Sequence, residues 1–107
     1  MGWTVKLQES VIGDLRWFGR RDGRILLNEA ETLLSTDPRA ESRSMKTLRS
    51  NSFAQRELRL FGKYRVLFSV DEEEQEVTIV LVGEKRGDTL FVRGQEFTAH
   101  HESDPTE

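Results

Sequence analysis

Polar and hydrophobic positions alternate most regularly between Gly62 and Gly87. Tyr64, Val66, Phe68 and Val70 fall on one face of an extended segment, with Arg65, Leu67 and Ser69 on the other. Strict alternation predicts a strand buried on one side, and the unbroken apolar run Val77–Val82 predicts one buried on both. The charged Asp71–Glu76 segment between them reads as a hairpin turn. Upstream, Trp3, Val5 and Leu7 share one face of a first strand. Val11, Ile12, Leu15 and Phe18 recur at helical spacing, with Ser10 placed as the N-cap. Gly19 and Gly23 bracket Arg20-Arg21-Asp22 and mark a corner before a second helix from about Arg24 to Ser35. Leu26, Leu27, Ala30, Leu33 and Leu34 form its inward face, and Asp37-Pro38 stops it. Arg39 to Ser52 has no clear period and reads as a loop, with Lys46-Thr47-Leu48 as a short extended piece. Arg56–Phe61 is the next strand, Leu58 and Leu60 alternating against Glu57 and Arg59. Gly62-Lys63 turns the chain, Glu84-Lys85-Arg86 forms a basic loop past Gly83, and Thr89–Val92 is a last short strand.

The order β-α-α-β-β-β-β predicts an α+β fold. An N-terminal strand and a helical hairpin pack on one face of a mostly antiparallel, four- to five-stranded sheet. The expected domain spans 1–96, and 97–107 reads as a frayed acidic tail. No apolar run approaches the roughly 18 residues of a membrane span, so no membrane association is expected.

Charge is uneven beneath a net value of −3: from Arg43 to Arg65 there are seven Lys/Arg and a single acid, Glu57. Such local asymmetry points to an anionic partner more than the total does. Arg56, Arg59, Arg65, Lys85 and Arg86 lie on neighbouring strands and are expected on the sheet face that the helices leave open. Arginine's planar fork there meets two phosphate oxygens at once, although solvent-side arginines of an ordinary half-buried sheet give the same pattern. Cysteine is absent, which excludes disulfides, thiolate metal sites and a cysteine nucleophile and fits a cytoplasmic location. His100 and His101 titrate near neutrality but sit in the tail. The carboxylates of 71–76 lack the alternation and glycine of a calcium loop. No metal-ligand spacing is present and no cofactor is expected.

The run RELRLFGKYRVLFSVDEEEQEVTIVLVGEKRG resembles the RelE/ParE family of toxins from type II toxin–antitoxin systems. The family pattern is a strand pair of the form LR…G.YRVLY.V, followed by a strand ending in VG.R or GHR. The first strand, helical hairpin, DP stop and basic K.LR stretch fit as well, so the likeness covers roughly residues 3 to 96. It implies a cytoplasmic toxin held by a cognate antitoxin protein. RelE-like members cut mRNA on the ribosome without metal, by attack of a 2′-hydroxyl on the adjacent phosphate. ParE-like members instead poison DNA gyrase, and an inactive, antitoxin-binding relic is a third option. By the resemblance Arg65 and Lys85 are the catalytic cations, while Arg56, Arg59, Arg86 and Phe91 bind substrate. Phe91 stands where RelE-like enzymes carry a tyrosine; it can stack on a base but cannot exchange a proton.

Overall fold

The computed structural model describes residues 2–98. In chain order its elements are β1 (Thr4–Leu7), α1 (Glu9–Trp17), α2 (Arg20–Thr36), β2 (Met45–Thr47), β3 (Arg56–Leu60), β4 (Tyr64–Asp71), β5 (Glu76–Arg86), β6 (Thr89–Val92) and β7 (Gln95–Glu96). The sheet runs β2-β3-β4-β5-β6-β7, and β1 joins β5 as its parallel partner. The α+β architecture is as expected, with seven strands in place of four or five. β2 and β7 are the additions, both too short and too polar to announce themselves by alternation.

One face of the sheet carries the main core. Leu58, Leu60, Val66, Phe68, Val77, Ile79 and Val82 pack there against Val11 of α1 and Leu26, Ala30 and Leu34 of α2. Side chains buried this completely each contribute about 1.5–3 kcal/mol, which makes the helical lid obligatory for the sheet. The helices meet at a corner formed by Gly19 alone, whose φ of +98° suits glycine. Gly23 lies inside α2 rather than at its start, because a Cβ there would sit 2.5 Å from the Leu15 carbonyl oxygen of α1. α1 also begins earlier than Ser10 implied. Gln8 is its N-cap, with Val11 N–H donating to the Gln8 carbonyl at 2.9 Å.

Two irregularities in β5 decide where the charged side chains of the sheet lie. Leu67 of β4 faces Leu81, whereas the next residue, Phe68, faces Ile79, so Val80 is an extra residue in a bulge. Ile79 and Val82 therefore both face the helices, while Leu81, Gly83 and Lys85 turn to the other side. Glu84-Lys85-Arg86 extends β5 and pairs with β6, so the expected basic loop is strand. The second irregularity is on β5's far edge, where β1 covers residues 76–79 and β6 covers 84–86. In the gap between them, Val82 N–H donates to the carboxylate of Asp14 at 3.0 Å. Asp14 is 4% exposed and also accepts from Arg93 Nε at 2.9 Å. Arg93 Nη2 donates in turn to the Ser10 carbonyl, tying the β6–β7 turn to α1.

Candidate functional site

The face opposite the helices is partly covered by chain rather than open. Ala54, Leu67 and Leu81 form a second small core, joined by Leu48, Phe53, Val80, Leu90, Val92 and Phe97. One wall is the loop between β2 and β3, shaped by Asn51: its Oδ1 accepts from Phe53 and Ala54 N–H at 2.7 and 3.0 Å. This is the local bonding that makes asparagine a turn residue. The other wall is the β6–β7 hairpin and Phe97, whose N–H donates to the Leu90 carbonyl at 2.8 Å. The Phe53 and Phe97 rings meet edge-on with centroids 5.0 Å apart. Between the walls lies a cleft of about 440 Å³, with Glu57, Arg65 and Lys85 among its lining.

Arg65 and Glu57 are 7% and 8% exposed. Arg65 Nε lies 2.8 Å from Glu57 Oε2, yet its N–H is not aimed at that oxygen, so the contact is an ion pair rather than a hydrogen bond. Arg65 Nη1 donates to the Tyr64 and Gly62 carbonyls at 3.1 and 3.3 Å, which fixes the plane of the guanidinium. Lys46 Nζ stands 3.9 Å from the other Glu57 oxygen. Gly83 faces Arg65 across the ladder and contributes no side chain, and a Cβ there would meet the Phe91 carbonyl at 2.6 Å. The cleft thus holds a fixed guanidinium, an ammonium and a buried carboxylate beside an apolar, partly aromatic wall. That combination can grip an anion, take up a proton and receive a flat ring.

Of the residues singled out in the sequence, Arg65 and Lys85 come together in the cleft. Arg59 shares their face and sits directly across from Arg65, but it is exposed and outside the cleft lining. Arg56 does not reach that face. Paired with Phe68, it points to the helical side and is 6% exposed. There it donates to the Pro38 and Ala40 carbonyls at 2.5 and 2.7 Å and pairs with Glu41 at 2.7 Å. The same alternation that buries Leu58 and Leu60 requires this. Arg86 and Phe91 are also elsewhere: Phe91 pairs with Glu84, which pairs with Tyr64 of the helical face, and Arg86 lies 4.6 Å over the Phe91 ring. At the neighbouring hairpin tip the Lys63 ammonium is held above its ordinary pKa, first by the Tyr64 oxygen and then by the Glu84 carboxylate.

Glu57, Phe53 and Phe97 are the cleft residues that the sequence did not single out. Glu57 carried a signal, as the lone acid in a basic stretch on the face of its strand opposite Leu58. Phe97 lies one residue past the expected domain end, although it packs into the second core. His100 and His101, and most of the expected tail, lie outside the described residues. Among the described residues no group of three or more His, Asp or Glu is placed to hold a metal ion, and no helix is long and apolar enough to cross a membrane.

No protein-family model matches the sequence, and neither does any curated protein. Solved structures do. The toxin–antitoxin complex RelBE2 of Mycobacterium tuberculosis matches with a TM-score of 0.68 and 27% identity, over 79% of this chain and 93% of that one. The archaeal RelE–RelB complex of Pyrococcus horikoshii matches with a TM-score of 0.62 and 25% identity, over 81% and 98%. The matched partner in each complex is the RelE toxin. The chain is a RelE-like protein, two helices on an antiparallel sheet in the arrangement of those toxins.

Proposed function

We propose that this chain is the toxin of a type II toxin–antitoxin pair and cuts mRNA on the ribosome, with the 2′-hydroxyl of one nucleotide attacking its own 3′-phosphate. The observation that carries the reading is the Glu57–Arg65 pair with Lys85 in one cleft, backed by likeness to two RelE chains held by RelB partners. Glu57 takes the proton from the 2′-hydroxyl as its oxygen bonds to phosphorus. Arg65 and Lys85 meet the phosphate oxygens as negative charge grows on them. The 5′-oxygen of the next nucleotide leaves with a proton from water or from Glu57. The products are a 2′,3′-cyclic phosphate and a 5′-hydroxyl. The cleft supplies these groups from its own side chains, and an antitoxin protein is the expected partner.

One observation favours a second reading: among the described residues no tyrosine or histidine lines the cleft to donate the leaving-group proton. A gyrase-poisoning toxin or an inactive relic needs none. Mapping RNA 5′ ends after induction in bacteria separates these, with Lys85→Ala and Arg65→Ala beside the parent chain. New cuts within translated codons, lost in both variants, are the expected result. Arrested growth with DNA damage and no new cuts would mean gyrase, and growth unaffected by the parent chain would mean a relic.

A further inference from the structure

On the outer side of the helical hairpin, away from the cleft, a second concavity of about 270 Å³ runs between α1 and α2. Leu7, Ile12, Leu15 and Leu27 line it, all at least partly exposed, Ile12 at 45%. Gly19 and Gly23 add no side chain to fill it. Its rim is Arg16, Arg20 and Arg24, four residues apart along the hairpin and all exposed. None of the three forms an ion pair among the described residues. Elsewhere on the surface the chain does pair its cations, as Lys6 with Glu76 and Lys63 with Glu84 show. Three unpaired arginines around an aliphatic floor repel one another and leave apolar surface in water, two costs that one occupant would remove.

We infer that this groove docks an acidic amphipathic helix of a partner protein. Two antiparallel helices offer a natural seat for a third, and helix-in-groove binding reads aliphatic anchors at i, i+3, i+4 and i+7. Aspartates or glutamates flanking those anchors meet the arginine rim. A nucleic acid satisfies the rim but brings only phosphate and sugar to the floor, where four aliphatic side chains offer nothing polar. The site is independent of the RNA chemistry proposed above, because it lies on the helical side and shares no residue with the cleft.

The test uses the full chain and a synthetic helical peptide with leucines at those spacings and glutamates between them. Its counterparts are the same peptide with lysines replacing the glutamates, and a scrambled acidic one. Methyl NMR should place the shifts on Leu7, Ile12, Leu15 and Leu27. The double change Arg20→Glu, Arg24→Glu should weaken binding at least about tenfold, and added salt should weaken it too. Lys85→Ala should bind as the parent does, so a failure of the nuclease reading leaves this result intact. Equal binding of all three peptides, or shifts confined to the cleft, would overturn the inference. So would self-association of the chain that Ile12→Asp abolishes, since the groove would then be a contact between copies. Binding to anionic vesicles but to none of the peptides would overturn it as well.

Discussion

Glu57 and Arg65 are nearly inaccessible, and an ion pair in that position contributes little net stability while its rupture is costly. Arg65→Ala strands the Glu57 carboxylate and should lower unfolding free energy by about 3 kcal/mol or more. Removing both charges together should recover part of that loss, and urea titration of the two variants checks both statements. Lys85 is half-buried and has no such tie, so its loss tests the chemistry with less disturbance of the fold. Asp14 is the corresponding residue on the other edge of β5, serving one backbone N–H and one arginine. Asp14→Ala should cost about 3 kcal/mol, and Asp14→Asn distinctly less, because the amide oxygen still accepts from Val82. Arg93→Ala should cost less than Asp14→Ala, since the Arg93 side chain is 47% exposed and water replaces what it loses. Arg56 shows how a residue's type can mislead. Its guanidinium looks like a phosphate ligand in the sequence, and in the fold it ties down the segment from Pro38 to Glu41.

Most elements were legible where one face of an element is buried and the other wet. Tyr64–Val70 and the inward residues of α2 keep closely to their periods. Three things were not legible, each because another element decides it. α2 begins before Gly23, and the only mark of this is the close approach of α1. β2 and β7 are strands because a neighbour's ladder is available, not because their residues prefer to be. The bulge at Val80 is the most consequential for the site. Counted by strict alternation from Val77, Lys85 falls on the helical face; one extra residue moves it beside Arg65. The resemblance named Arg65 and Lys85 together, but no count of alternation could have put them in one cleft. Gly23 yields a prediction at the same scale. Gly23→Ala should destabilise the protein by about 1–3 kcal/mol although alanine is the better helix former, because its Cβ would drive α1 from α2. A fall in thermal midpoint with unchanged helix content by circular dichroism is the expected outcome.

At the scale of the whole molecule, one sheet separates two surfaces of different chemistry. Its helical side carries the main core and the arginine-rimmed groove, and its other side carries the smaller core and the charged cleft. The smaller core is completed late in the chain, by Phe97 against Phe53. A chain ending at Glu96 should accordingly be less stable than one ending at Thr98 by about 2 kcal/mol, the scale of one partly buried phenylalanine. Equal denaturation midpoints for the two would show that the domain closes without Phe97.

The tie between α1 and the β6–β7 turn also gives the molecule an optical probe. A Cβ at Gly94 would come 2.8 Å from Trp17 Cζ2, so the indole rests against the turn that carries one wall of the cleft. The chain has one other tryptophan, Trp3, which sits beneath Arg39. In a Trp3→Phe chain the emission spectrum comes from Trp17 alone. Any occupant that shifts the hairpin then changes the colour and intensity of that light, and cleft occupancy becomes readable without a label.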